Sequence, residues 1–90
     1  MATDHVREGI RANCVSPGTV ATPFVDRMLQ NFSDPAAERA ALDARQATGR
    51  MVTPEEVANA IAYLASPVSG STTGSALEVD GGVHNLRMRA

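Results

Sequence analysis

The spacing of apolar residues changes period along the chain, and each change marks an element. Residues 2 to 8, "ATDHVRE", read as the closing turns of a helix, with Gly9 placed as its stop. From Ile10 to Val15 the pattern alternates: Ile10, Ala12 and Cys14 fall on one side, Arg11, Asn13 and Val15 on the other. That predicts a short strand, ended by Pro17-Gly18. Val25, Met28, Leu29 and Phe32 return to helical spacing, so a helix is expected from Pro23 to about Asn31. A second helix is expected from "SDP", where Ser33 or Asp34 caps and Pro35 takes the first position, through Ala-rich sequence to Gly49. Its apolar stripe is mostly Ala, so it should bury little and suits a mobile lid.

The next helix carries the clearest signature. Thr53 as N-cap, Pro54 at the first position and Glu56 at the third form a capping box, and Val57, Ile61, Leu64 and Ala65 share a face before Ser66-Pro67 stops the helix. A polar loop, "SGSTTG", leads to "SALEVD" (Ser75 to Asp80), a second strand with Leu77 and Val79 on one face. A strand-helices-strand crossover of this length places the two strands parallel in one sheet. The fold class is therefore α/β, and residues 1–90 are expected to form a single incomplete domain with a polar tail at 84–90.

Ninety residues bury only about 60 to 65% of the surface of the unfolded chain. The aromatic residues are Phe24, Phe32 and Tyr63, so the core must come from Ala, Val, Leu, Ile and Met. A net charge of −2 without a basic block argues against nucleic acid as a partner. No run approaches the roughly 18 apolar residues of a membrane helix, and the N-terminus has no apolar signal region, so no membrane partner and a cytoplasmic location are expected. Cys14 stands alone, without a disulfide or metal-ligand companion, and is expected to be a small buried core residue. All eight basic residues are Arg; there is no Lys.

Three strings then line up with one family. "DHVREGIRANCVSPGTVATP" resembles the sixth strand and following loop of the short-chain dehydrogenase/reductases, "GRMVTPEEVANAIAYLAS" the helix after it, and "TTGSALEVDGG" the final strand. The resemblance covers about residues 3 to 83 and implies the C-terminal part of a doubly wound Rossmann fold that uses NAD or NADP. The loop "SPGTVATP" would then lie at the carboxyl end of a parallel strand, where open α/β sheets bind ligands. Pro17 and Gly18 would let the backbone turn close to a flat ring. In the family, main-chain groups at the position of Val20 bond the nicotinamide carboxamide, and the hydroxyl at the position of Thr22 bonds that amide or a nearby phosphate. A threonine ahead of a helix suits an anion; Thr22 is equally placed simply to cap the helix starting at Pro23.

The family's remaining machinery is not in these 90 residues. No G-x-x-x-G-x-G occurs, and "GSTTG" precedes a strand instead of following one. The Tyr-x-x-x-Lys pair is missing too: Pro67 lies four residues after Tyr63, and no lysine exists to lower a tyrosine's pKa. Tyr63 is expected to pack, and no catalytic residue is assigned. "PGTVATP" followed by "ARQATGR" resembles the subgroup that includes the cytosolic 3-hydroxybutyrate dehydrogenase, in which arginines meet the substrate carboxylate. Arg45 takes the matching position, and Arg27 stands one residue before the other. His5 and His84 lack a nucleophile-elbow partner, and His84 with Asp80 makes no metal set, so neither hydrolase nor metal chemistry is expected.

Two readings follow. One is the C-terminal segment of an NAD(P)-dependent oxidoreductase that in its complete form acts on a carbonyl or alcohol such as a small hydroxy acid, inactive and with little cofactor affinity alone. The other is a self-associating module without catalysis, joined through the Val57, Ile61, Leu64 face or an open sheet edge, since the family's last helix and strand commonly form a subunit interface. A homo-oligomer or a missing N-terminal part would cover the apolar surface.

Overall fold

The computed structural model describes residues 2–86. Helix α1 (Ala2–His5) continues as a 3-10 turn, Val6–Glu8, and stops at Gly9, whose φ of 83° is the left-handed conformation expected of a glycine stop. Strand β1 (Cys14–Pro17), helices α2 (Pro23–Leu29), α3 (Pro35–Ala44) and α4 (Pro54–Ala65), a 3-10 turn at Pro67–Ser69 and strand β2 (Ala76–Val79) follow. The strands pair in parallel, from Cys14 beside Ala76 to Pro17 beside Val79. The expected α/β crossover is thus present.

The first strand lies closer to the loop than the alternation from Ile10 to Val15 predicts. Residues 12 and 13 are bonded to the polar loop instead of to a strand: Ala12 N–H donates to Thr73 Oγ1, Gly74 N–H to the Ala12 carbonyl, and the Asn13 side chain spans the Thr72 carbonyl and the Ser75 N–H. Extended pairing begins only where Cys14 N–H meets the Ser75 carbonyl. At the other end, Ser16 and Pro17 remain in the ladder, and Gly18 N–H donates to Val79 O at 3.1 Å. Beside the Asn13 contacts, the Arg11 guanidinium gathers the carbonyls of Leu64, Ser66 and Thr72 at 2.9 to 3.2 Å. A cation at the last carbonyls of α4 favours the helix dipole and ties that helix to the start of the sheet.

α2 and α3 both end earlier than their sequence suggests. Asp34 caps α3, but the helix stops at Ala44, not Gly49, because the Gln46 side chain turns back onto the Leu42 carbonyl and Asp43 Oδ1 accepts the Met51 N–H. α4 matches its prediction, with Thr53 and Glu56 completing both halves of the capping box.

Among the described residues only Leu29, Met51, Val52 and Leu64 are buried apolar residues. α3 buries none, as an Ala-rich stripe implies. Two expectations are corrected. Cys14 is exposed, because it opens a strand that, among the described residues, has a neighbour on one edge only. Tyr63 is about half exposed, since it lies about 100° around α4 from the buried Leu64. Ile61 is also about half exposed, despite its place in the apolar stripe; among the described residues α4 packs against the two short strands and the 3-10 turn that follows it.

Asp80 organises the turn after β2, accepting N–H bonds from Gly82 at 2.9 Å and His84 at 3.2 Å, while Leu86 N–H returns to the Gly82 carbonyl. Residues 84–86 of the expected polar tail fold back in this way, and 87–90 lie outside the described residues. No helix among the described residues is long and apolar enough to cross a membrane.

Candidate functional site

The loop leaving β1 is pinned from three directions. Pro17 is the last ladder residue, where its missing N–H costs nothing further along the strand. Gly18 passes so close to the turn after β2 that a Cβ there would lie 3.0 Å from Asp80 Cα and 3.1 Å from its carbonyl oxygen. Its immediate role is this close approach of two backbones. Thr19 N–H donates to Gln46 Oε1 at 3.3 Å, and the Thr19 carbonyl accepts Val52 N–H at 2.8 Å. Ala21 N–H donates to the Val52 carbonyl, also at 2.8 Å.

These bonds fix the orientation of Val20. Val20 and Val52 form a parallel bridge, held through the two neighbours of Val20. A trans peptide sets its C=O and N–H antiparallel, so the Val20 N–H points opposite to the Thr19 carbonyl and the Val20 carbonyl opposite to the Ala21 N–H. Both groups therefore face away from Val52. A donor and an acceptor are presented side by side on rigid backbone, and among the described residues neither has a protein partner. A primary carboxamide offers the complementary acceptor and donor.

Thr22 is the N-cap of α2, and its hydroxyl oxygen accepts the Val25 N–H at 3.3 Å. The hydroxyl hydrogen stays available for donation. At this helix start Pro23 has no N–H, Val25 N–H is bound by the Thr22 hydroxyl and Asp26 N–H by the Thr22 carbonyl, so among the described residues Phe24 N–H is the first-turn donor left without a protein partner. Asp26 adds a negative charge in the first turn of a seven-residue helix.

Arg27 lies in the last turn of α2 and Arg45 at the C-cap of α3, both on exposed residues. An ion pair between Asp26 and Arg39 joins the two helices. α2 leaves Phe24 and Met28 exposed, and Phe32, in the turn between the two helices, is exposed as well. Sequence pattern singled out Arg45 but missed its neighbour Gln46, which is only 1% exposed and bonds the loop directly. The sole signal was a polar residue beside the arginine of "ARQATGR".

A second polar cluster stands at the start of α4. Arg50 grips both oxygens of Glu56, at 2.8 and 3.0 Å, and Glu56 Oε1 also accepts the Thr53 N–H. The Arg50 bond and then the Thr53 N–H hold the Glu56 carboxyl down to about 2. With the Glu56 carboxylate committed to the cap and to Arg50, this pair anchors the segment after Val52.

The sequence family described as enoyl-(acyl carrier protein) reductase, a branch of the short-chain dehydrogenases, matches residues 1–84. The chain belongs to the short-chain dehydrogenase/reductase family. A relative from Xenopus laevis, dehydrogenase/reductase SDR family member 6, is 46% identical over 82 residues, which cover 91% of this chain and 34% of the relative. Cis-4-hydroxycyclohexanecarboxylate dehydrogenase of Sinomonas cyclohexanicum is 46% identical over 81 residues, 90% of this chain and 30% of that protein. The aldohexose dehydrogenase of Thermoplasma acidophilum, solved in ligand-free form, superposes with a TM-score of 0.85 at 31% identity, over 99% of this chain and 36% of that one. The chain thus spans about a third of the length of the short-chain dehydrogenases it matches.

Proposed function

We propose that this chain supplies the nicotinamide-side half of an NAD(P)-dependent oxidoreductase site whose substrate is a small hydroxy acid or its keto form. The observation that carries the reading is the paired N–H and C=O of Val20, held outward by the two bonds to Val52. When bound, the nicotinamide gives or takes the hydride. Val20 orients its ring by bonding the carboxamide, while Thr22 donates its hydroxyl hydrogen to the same amide or a neighbouring phosphate without releasing Val25. Pro17 and Gly18 set the path of the backbone against β2. Arg45 and Arg27 meet the substrate carboxylate, a planar group that a guanidinium can bind through two parallel bonds. The carboxylate in the name of the Sinomonas relative supports that assignment. Without a Tyr-x-x-x-Lys pair, the chain alone has no general acid for the carbonyl oxygen, so it transfers no hydride by itself.

Amide NMR titration tests the cofactor half of this reading. Titrated to the high concentration that half a site requires, nicotinamide mononucleotide should shift the Val20 amide more than nicotinic acid mononucleotide does, because a carboxylate can accept from the Val20 N–H but cannot donate to the Val20 carbonyl. An equal response to both, or none, overturns it.

Self-association is the second reading. A groove of about 530 Å³ runs between β1 and α4, with Val15, Val57, Ile61 and Leu64 in its lining and Ile61 about half exposed. A second copy seated there would cover it. A folded monomer at micromolar concentration in sedimentation overturns this reading.

A further inference from the structure

We infer that Gln46 is a positioning residue that sets the cofactor-facing loop against the helix bearing Arg45, an inference that rests on the nicotinamide reading of Val20. Four backbone bonds pin the loop around Val20. Gly18 is held by β2, Val52 holds both the Thr19 carbonyl and the Ala21 N–H, and the Thr19 N–H is held by Gln46. Gln46 is the only side chain in that set. It is 1% exposed, and a buried amide of this kind needs partners on both of its ends.

Both ends are satisfied by different elements. Oε1 accepts the Thr19 N–H at 3.3 Å, and Nε2 donates to the Leu42 carbonyl at 2.7 Å, where α3 ends. The aliphatic part of the side chain is wedged against the turn after β2. A Cβ on Gly81, whose φ is +62°, would come within 2.9 Å of Gln46 Cβ and Cγ. Thr48 N–H donates to the Gly81 carbonyl and locks the backbone after Gln46 to the same turn. The residue therefore joins the loop, the end of α3 and the turn after β2. Arg45 precedes it directly in sequence, so the same link fixes the backbone that carries the guanidinium assigned to the substrate carboxylate relative to the peptide assigned to the cofactor.

Amide hydrogen exchange on the whole chain, combined with the nicotinamide mononucleotide titration, tests this. Gln46→Met keeps the volume and removes both polar ends; Gln46→Glu restores an acceptor for Thr19 alone. In the Met variant the Thr19 amide should exchange about tenfold faster, as for loss of one buried hydrogen bond. The Met51 amide, bonded to Asp43, should keep its protection as an internal measure of folding. The Val20 response to nicotinamide mononucleotide should weaken in the Met variant and recover in the Glu variant. Unchanged Thr19 exchange in Gln46→Met overturns the inference. So does loss of Met51 protection in both variants, because Gln46 would then hold the fold and not the loop. If wild type shows normal Thr19 protection but no Val20 response to the nucleotide, the cofactor reading fails, and the positioning role fails with it even where the exchange pattern holds.

Discussion

A methyl group at residue 18 would have to share space with the backbone of Asp80, which a flexible side chain could yield but a strand end cannot. Gly18→Ala should therefore lower stability by about 1 to 3 kcal/mol in urea denaturation, the usual cost of overpacking. Thr22 performs two separable tasks. Thr22→Ala should cost about 1 kcal/mol through the lost bond to Val25, while Thr22→Ser should keep both the cap and the Val20 response to nicotinamide mononucleotide. Cys14 is exposed at the rim of the sheet, so a native-state thiol titration should modify it quickly. A thiol that reacts only after unfolding would contradict the structure. For none of these three residues does hydrophobic pattern suffice: alternation put Cys14 inside, because a pattern assumes a neighbour on each side of the strand.

Local chemistry predicted the elements best where a helix start is closed by its own residues. The capping box of α4 was legible because Thr53, Pro54 and Glu56 satisfy each other within one turn. Arg50 was not, since its bidentate grip on Glu56 depends on how the chain enters that turn. The ion pair makes a pH prediction. The Glu56 carboxyl is held at about 2 in the folded protein against an ordinary value of 4.5, so the unfolded chain takes up the proton first as pH falls. The contribution to stability is complete above about pH 4.5 and is lost on acidification through about pH 2. Urea midpoints measured between these limits should fall with pH, and Glu56→Gln should flatten that slope. Both side chains are solvent-exposed, so added salt should shrink the difference between the two proteins.

For a compact chain of this length the radius of gyration would be about 12 Å, whereas the observed value is 16.5 Å, with extents of 54 × 30 × 21 Å. The molecule is a slab: one short parallel pair with a crossover of three helices and few buried apolar residues. Parallel sheets are stable when both faces are covered, and among the described residues β1 and β2 pair only with each other and are packed by α4. Such a chain should gain stability from whatever covers the β1 and α4 groove. If a second copy does so, the melting temperature should rise across about a hundredfold increase in protein concentration. A concentration-independent melt would leave self-association without support.

From the sequence alone came the order of elements, the parallel crossover and the caps Thr22 and Thr53, with the cap of α3 left between Ser33 and Asp34, because each rests on contacts within a few residues or on a motif of fixed spacing. The family followed from the same short-range strings. Only tertiary structure decided that Ser16 and Pro17 belong to the strand, that α3 stops at Ala44 and that Gln46 reaches the loop. Those outcomes depend on bonds between residues 27 or more apart, or on a side chain turning back on its own helix, and neither leaves a period in the sequence. The outward pair on Val20 has the same origin: its identity as a cofactor-facing residue was suggested by a motif, but its direction was set by Val52.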